Sequence, residues 1–444
     1  MRLHKYAFLL LISLLAHGPA LAGEDLQEQA KRFLATLAPP GSKISFAAME
    51  PTDGGISVRD VVAHADTAGG DEVVEHIGLM NVQGLQPLPS GLFRADRFSA
   101  ENIRIDAAPD GQDIKPGSIH IAKVTASGID GARIAAIAVS QIEVSTFAVG
   151  STYAIRIASA SLKNVDSQSL TRAFVRANAD TQSARGEDAL LNALLNASTY
   201  DALSLRGLSL RRDKTDLMTI AEINSKPDGA YAPFPASGSF SIHAGEIDLL
   251  DPMAAMVYQW FGQDRLQFSL DSHHTFASPA SHGWDISLKL SPDAALAGNC
   301  AAQNLNSFSP ALIRQTQALS NSPATLRQCD LNFTGTEFVN RWLAQEGARQ
   351  GLSPDGVRAQ YLAGTLLASL DPATANDPLA QQLTSAMQIF LTQPSRLNIH
   401  LAPEGGLKFP DSAVTLAMLF QGKPEQRREA MQKLGLSLQA QPLN

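Results

Sequence analysis

The residues best suited to metal chemistry are Asp271, His273 and His274, with His282 a short way beyond. A carboxylate and imidazoles at such spacing could ligate a divalent ion. In a strand, neighbouring side chains point to opposite faces, so only Asp271 and His273 would share one. The plainer reading, and the one preferred, is a polar strand end in a hairpin. A second group sets His64 and His76 on either side of Asp66, Asp71, Glu72 and Glu75. Metal binding is conceivable there, but a solvated loop explains the charge run more simply. His120, His243 and His400 each stand alone in an alternating run. The chain contains no G-x-S-x-G elbow, H-E-x-x-H pair, P-loop, G-x-G-x-x-G or EF-hand loop. No catalytic, cofactor-binding or metal residue is therefore assigned, no cofactor is expected, and the chain reads as a non-enzyme. A hydrolase whose site assembles from distant residues stays open as an alternative.

Cys300 and Cys329 are the two cysteines, and they form no C-x-x-C pair. In an oxidising compartment they predict one structural disulfide, two buried thiols being the alternative. Asn196-Ala197-Ser198 is a formal glycosylation triplet, discounted because it ends an expected helix and the leader is bacterial in style. Trp260, Phe261 and Trp342 fall on expected helices and read as core residues.

The compartment follows from the first residues. Arg2 and Lys5 precede an apolar stretch, Ala7 to Ala16, and then Ala20-Leu21-Ala22, a small-x-small cleavage site before Gly23. This is the pattern of a secretory signal peptide over 1–22, cleaved between Ala22 and Gly23. The apolar stretch is about half the ~20 residues that span a bilayer, which argues against a retained anchor. The expected location is the periplasm, with no transmembrane anchor after cleavage. The chain holds 35 basic and 43 acidic residues, net −8; losing Arg2 and Lys5 brings it to −10. That balance repels nucleic acid, and no local lysine or arginine cluster is visible in the sequence. A hydrophobic fraction of 44% supports real cores.

The elements that would position any site are mostly strands. Residues 24–38 predict a helix with Leu26, Ala30, Phe33 and Leu37 on one face, ended by Pro39-Pro40-Gly41. From 43 to 165 short alternating runs are separated by turn residues. Three runs resemble one another: Phe93–Arg104, Ile119–Asp130 and Ile155–Asp166 share apolar residues at offsets 1, 3, 6, 8 and 11. To keep all of them on a core the strand must slip phase once, as a bulge or bend allows. Asn102, Gly128 and Asn164 precede the last apolar position and suit a positive φ. Weaker echoes surround Asn81 and Gly207. Uneven spacing favours an antiparallel meander over a solenoid, although chance likeness between alternating strands explains part of the pattern.

The rest divides as follows. Helices are expected over 167–198, strands at 200–210 and 218–223, and a linker over 226–239, where Pro, Gly and Ser are dense. A second β-rich segment, 240–334, would contain a helix opened by Asp251-Pro252 and a hairpin of Leu266–Leu270 with Trp284–Leu290. The disulfide would tie the loop after that hairpin to a strand near Leu331 and Phe333. Residues 335–444 read as mainly helical, with strands at 397–401 and 436–438. The domains are thus 23–225, a linker 226–239, 240–334 and 335–444, in an α+β fold of curved antiparallel sheets with short helices.

The runs Phe93–Arg104, Ile119–Asp130 and Ile155–Asp166, with their terminal Asn-Ile, Gly-Ile and Asn-Val steps, resemble the strand arrays of AsmA-like proteins of the Gram-negative envelope. The likeness covers about a third of the chain. It implies a long β-structure with an apolar groove and a connection to outer-membrane lipid. The cleavable leader and helical C-terminal segment depart from that family. Together these readings predict a periplasmic binding or scaffold protein that contacts lipid or an envelope protein through an apolar β-surface. A purely structural or assembly factor is the second possibility.

Overall fold

The computed structural model describes residues 26–37, 43–66, 72–89, 92–107, 117–148, 150–166, 200–228, 237–249, 264–278, 281–290, 294–304, 324–370, 378–393, 395–408 and 424–443, with single residues between 411 and 418. The expected signal peptide over 1–22, the helices expected over 167–198 and after Asp251, and most of the expected linker lie outside the described residues. The chain forms two compact units, Met1–Pro235 and Ala236–Asn444.

The first unit begins with α1 (Leu26–Leu37) and continues as β1 (Lys43–Ser45), β2 (Ala48–Thr52), β3 (Gly55–Asp66), β4 (Glu72–Gln83), β5 (Gln86–Pro87), β6 (Phe93–Ala107), β7 (Ser118–Asp130), β8 (Arg133–Ala148), β9 (Ser151–Asp166), β10 (Ala202–Arg212) and β11 (Thr215–Asp228). β1 and β2 pair with different stretches of β3, and β5 with the start of β6. The long strands follow as an antiparallel meander, β3-β4-β6-β7-β8-β9-β10-β11. One face is apolar and forms the core. On β7, Ile119, Ile121, Val124, Ala126 and Ile129 are all buried, the five positions the repeat assigns. α1 covers this face: Phe33 meets Phe93 and Phe98 edge-on, with ring centroids 5.7 and 6.2 Å apart.

The strands β6 to β9 each slip phase twice, where one slip was expected, and the slips are organised. Asn102, Gly128, Asn164 and Gly207 have φ of 55, 61, 50 and 63°. Each sits where ladder pairing skips one residue on both strands, so side-chain parity flips without loss of register. Across the sheet these points align in two creases. One passes through Asp60, Gly78, Asn102, Ala122, Gln141, Ala158, Gly207 and Ala221; the other through Gly84, Asp96, Gly128, Ala135 and Asn164. Along each crease a residue of positive φ alternates with one that lacks it, and every member of the second kind except Asp96 is Gly or Ala. The reason is space. A Cβ on Gly128 would come within 2.7 Å of the Ala135 Cβ, and one on Gly207 within 2.8 Å of the Ala158 Cβ. At β4 the echo falls differently from expectation: Gly84, just past the end of the strand, is the left-handed residue with φ 64°, and Asn81 is ordinary strand. β8 is a further copy, with Gln141 at φ 52°, hidden in sequence by its many alanines.

The second unit contains β12 (Ser237–Asp248), β13 (Arg265–Ser278), β14 (Ser281–Leu290), β15 (Ala294–Gln303), β16 (Thr325–Thr334), α2 (Thr336–Gln350), α3 (Pro354–Leu370), α4 (Pro378–Thr392), β17 (Ser395–Leu401), β18 (Leu407–Lys408), α5 (Pro424–Leu434) and β19 (Leu436–Pro442). The antiparallel order is β12-β13-β14-β15-β16-β17-β19, with β18 beside the start of β16. The expected hairpin is present: Phe268 faces Leu290 and Leu270 faces Leu288. The stretch around Cys300, expected as a loop, is instead the strand β15. Its sequence, AALAGNCAAQ, has low intrinsic strand preference and is held extended by a neighbour on each side. Cys300 and Cys329 are disulfide-bonded directly across β15 and β16.

Ser353 opens α3, its Oγ accepting the Gly356 N–H at 3.0 Å, with Pro354 first in the helix. Gly351, φ 72°, ends α2. The helices close on Val339, Leu343, Val357 and Leu391, and the Phe338 and Phe390 rings anchor them to Phe333 of β16 at 5.9 and 5.8 Å. The segment after 335 is therefore joined to the β-rich segment before it as part of one unit.

Candidate functional site

The histidines expected to matter are spread apart. Asp271 and His273 share the exposed face of β13, while His274 turns to the other face and is half-buried. Burial, then the adjacent His273, lowers the His274 pKa below the usual histidine value. His282 is buried at the start of β14, opposite Phe276 and Ala302. His64 and His76 are exposed on β3 and β4, and Glu75 faces away from both. Among the described residues no group of three His, Cys, Asp or Glu could hold a metal ion. His120 and His243 are exposed on their strands.

The exposed face of the second unit does bring one reactive pair together. Asp330 of β16 and His400 of β17 are cross-strand neighbours, and the His400 Nδ1–H donates to Asp330 Oδ1 at 2.5 Å. Gln328 Nε2 donates to the other carboxylate oxygen at 2.7 Å. The hydrogen bonds from His400 and then Gln328 hold the Asp330 carboxyl below the usual carboxylate range. Ser437 of β19 is the next residue across, opposite His400. The order Asp, His, Ser is that of a hydrolytic triad. However, the pair is half-exposed, and no hydrogen bond joins Ser437 to His400 among the described residues. This pairing is not legible along the chain, because the residues lie 70 and 37 positions apart and register alone joins them.

Among the described residues, Glu75 is the one acid inside the core of the first unit. It occupies an inward position of β4, flanked by Ala63 of β3 and Ile105 of β6. Its Oε1 has no hydrogen-bond partner among the described residues. Burial pushes its pKa up from 4.5 to about 8, so it is held as the neutral acid at neutral pH.

The most extended feature is apolar. The inward rows of the first unit continue past the closed core onto β9, β10 and β11. Ile142 leads to Ile157, Leu208 and Ile220; Val144 leads to Ile155, Leu210 and Met218. Burial declines from β7 to β10: Ile119 and Ile121 are fully buried, whereas Ile155, Ile157, Leu208 and Leu210 are only half-buried; on β11 Met218 is half-buried and Ile220 is buried again. In the second unit Phe240 of β12 stays 37% exposed. No described helix is long and apolar enough to cross a membrane.

A family model described only as "Uncharacterized protein" matches residues 293–441, the stretch from β15 to β19 that contains the disulfide, the Asp330–His400 pair and the C-terminal helices. No curated protein and no solved structure matches the chain.

Proposed function

We propose that this is a non-catalytic periplasmic binding protein of the cell envelope, and that its apolar sheet face accepts the acyl part of a lipid. The observation that carries the reading is the set of half-buried aliphatic residues Ile155, Ile157, Leu208 and Leu210 on β9 and β10, in rows continuous with the buried core of the preceding strands. An aliphatic surface left part-open at one end of a closed core marks a place for an apolar ligand. The strand pattern that resembles AsmA-like proteins and the signal-peptide sequence point the same way. Native mass spectrometry of protein exported to the periplasm tests it. Co-purified lipid, lost on Leu208→Glu, is the expected result. Protein free of lipid, which also fails to take up a phospholipid from vesicles, would refute it.

A second reading, a hydrolase, has the Asp330–His400 pair and the adjacent Ser437 in its favour. Labelling of Ser437 by a serine-reactive fluorophosphonate would support it. Equal labelling of wild type and Ser437→Ala would remove it.

A further inference from the structure

The face of the first unit turned away from its core holds a trough between the two creases. Its floor is an in-register row crossing the strands: Asn81, Ser99, Thr125, Ser161, Ser204 and Asn224, with Ala138 between Thr125 and Ser161. Short side chains make the floor, and longer ones rise on either side. The result is two adjoining depressions of ≈ 630 and ≈ 560 Å³ that share Lys123, Thr125 and Ala138. The cations at their edges are Arg97, Lys123, Lys163, Arg206 and Lys226. Lys123 is held by Glu101 at 2.8 Å and Arg206 by Glu222 at 2.9 Å. Arg97, Lys163 and Lys226 are exposed and form no ion pair among the described residues. On a chain of net charge −8 this is a local reversal of sign.

We propose that the trough binds an anionic glycan laid across the strands, hydroxyls on the floor and acidic groups against the edges. Three features select that ligand. Ser, Thr and Asn both donate and accept, which suits a polyol better than a bare anion. At ~4.8 Å per strand the floor from β4 to β11 is about 30 Å long, room for an extended oligomer. Nucleic acid needs denser cations and stacking platforms. The aromatic residue at the lining, Phe98, instead points into the core and is 2% exposed. The trough lies on the opposite face from the apolar rows, so it stands or falls separately from lipid binding.

The test is calorimetric titration of the purified full chain with polyuronate oligomers. An uncharged glucan of equal length and a single-stranded DNA of equal charge serve as comparisons. The uronate should bind roughly tenfold or more tightly than either, and weaken as salt rises. Combined Arg97→Gln, Lys163→Gln and Lys226→Gln should reduce uronate binding roughly tenfold or more, with thermal unfolding unchanged. Ser204→Glu, which places a carboxylate on the floor, should do the same and guards against misfolding of the triple variant. The proposal is overturned if the uronate does not bind, if glucan or DNA binds as well, or if both variants bind like wild type.

Discussion

Replacing Glu75 with leucine should stabilise the protein, and increasingly so as pH rises. The carboxyl sits 5% exposed in an otherwise aliphatic cross-strand row, between Ala63 and Ile105. Its folded pKa is about 8, against 4.5 for the free group. Folding therefore favours the protonated form. Below 4.5 both states carry the proton and the group costs little beyond its buried dipole. Above that value the unfolded chain releases the proton while the folded chain retains it. Stability then falls by ~1.4 kcal/mol per pH unit until the folded group also ionises near pH 8. From about pH 5 to about pH 8, Glu75→Leu should gain on the order of 4 kcal/mol over wild type. Glu75→Gln should show the same pH slope with a smaller offset, since its amide also lacks a described partner. Urea unfolding of the three proteins at both pH values reads the difference directly. A wild-type-minus-variant free energy that does not change with pH would refute the reasoning.

The creases predict an ordering at Gly207: Ala should cost about 1 to 3 kcal/mol and Val more, because φ is 63° and the new Cβ meets Ala158, as chemical denaturation would show. At Asn102, φ 55°, Gly should be nearly neutral where Val is costly. Phe33→Ala should lose about 3 to 5 kcal/mol in the same assay, since its ring packs between α1 and both Phe93 and Phe98. Reducing the Cys300–Cys329 bond, which closes a separation of 29 residues, should cost roughly 3 to 4 kcal/mol, and reductant should leave a Cys300→Ser/Cys329→Ser variant unaffected.

Local pattern was enough for much of the architecture. The offsets in Ile119–Asp130 fixed which residues face inward, and the phase slip they require demanded a left-handed residue at Gly128, where φ is 61°. The helix of Ala30 and Phe33 and the cap at Ser353 were likewise written in neighbouring residues. These features depend on interactions within a few positions of the chain, which is why a single sequence contains them.

What register alone decides could not be seen there. Arg97, Lys123, Lys163, Arg206 and Lys226 are scattered singly along the chain, so no basic cluster was expected, yet five strands bring them to one trough. Asp330, His400 and Ser437 meet for the same reason. Glu75 looked like part of an acidic loop; one step of strand parity turned it into the core instead. β15 is a strand because β14 and β16 bond it on both sides, not because alanine and glycine prefer to be extended. Ladder hydrogen bonds join residues distant in sequence, and the free energy of such a contact depends on both partners. A run of residues therefore specifies which face is apolar, while only the assembled sheet specifies who stands beside whom.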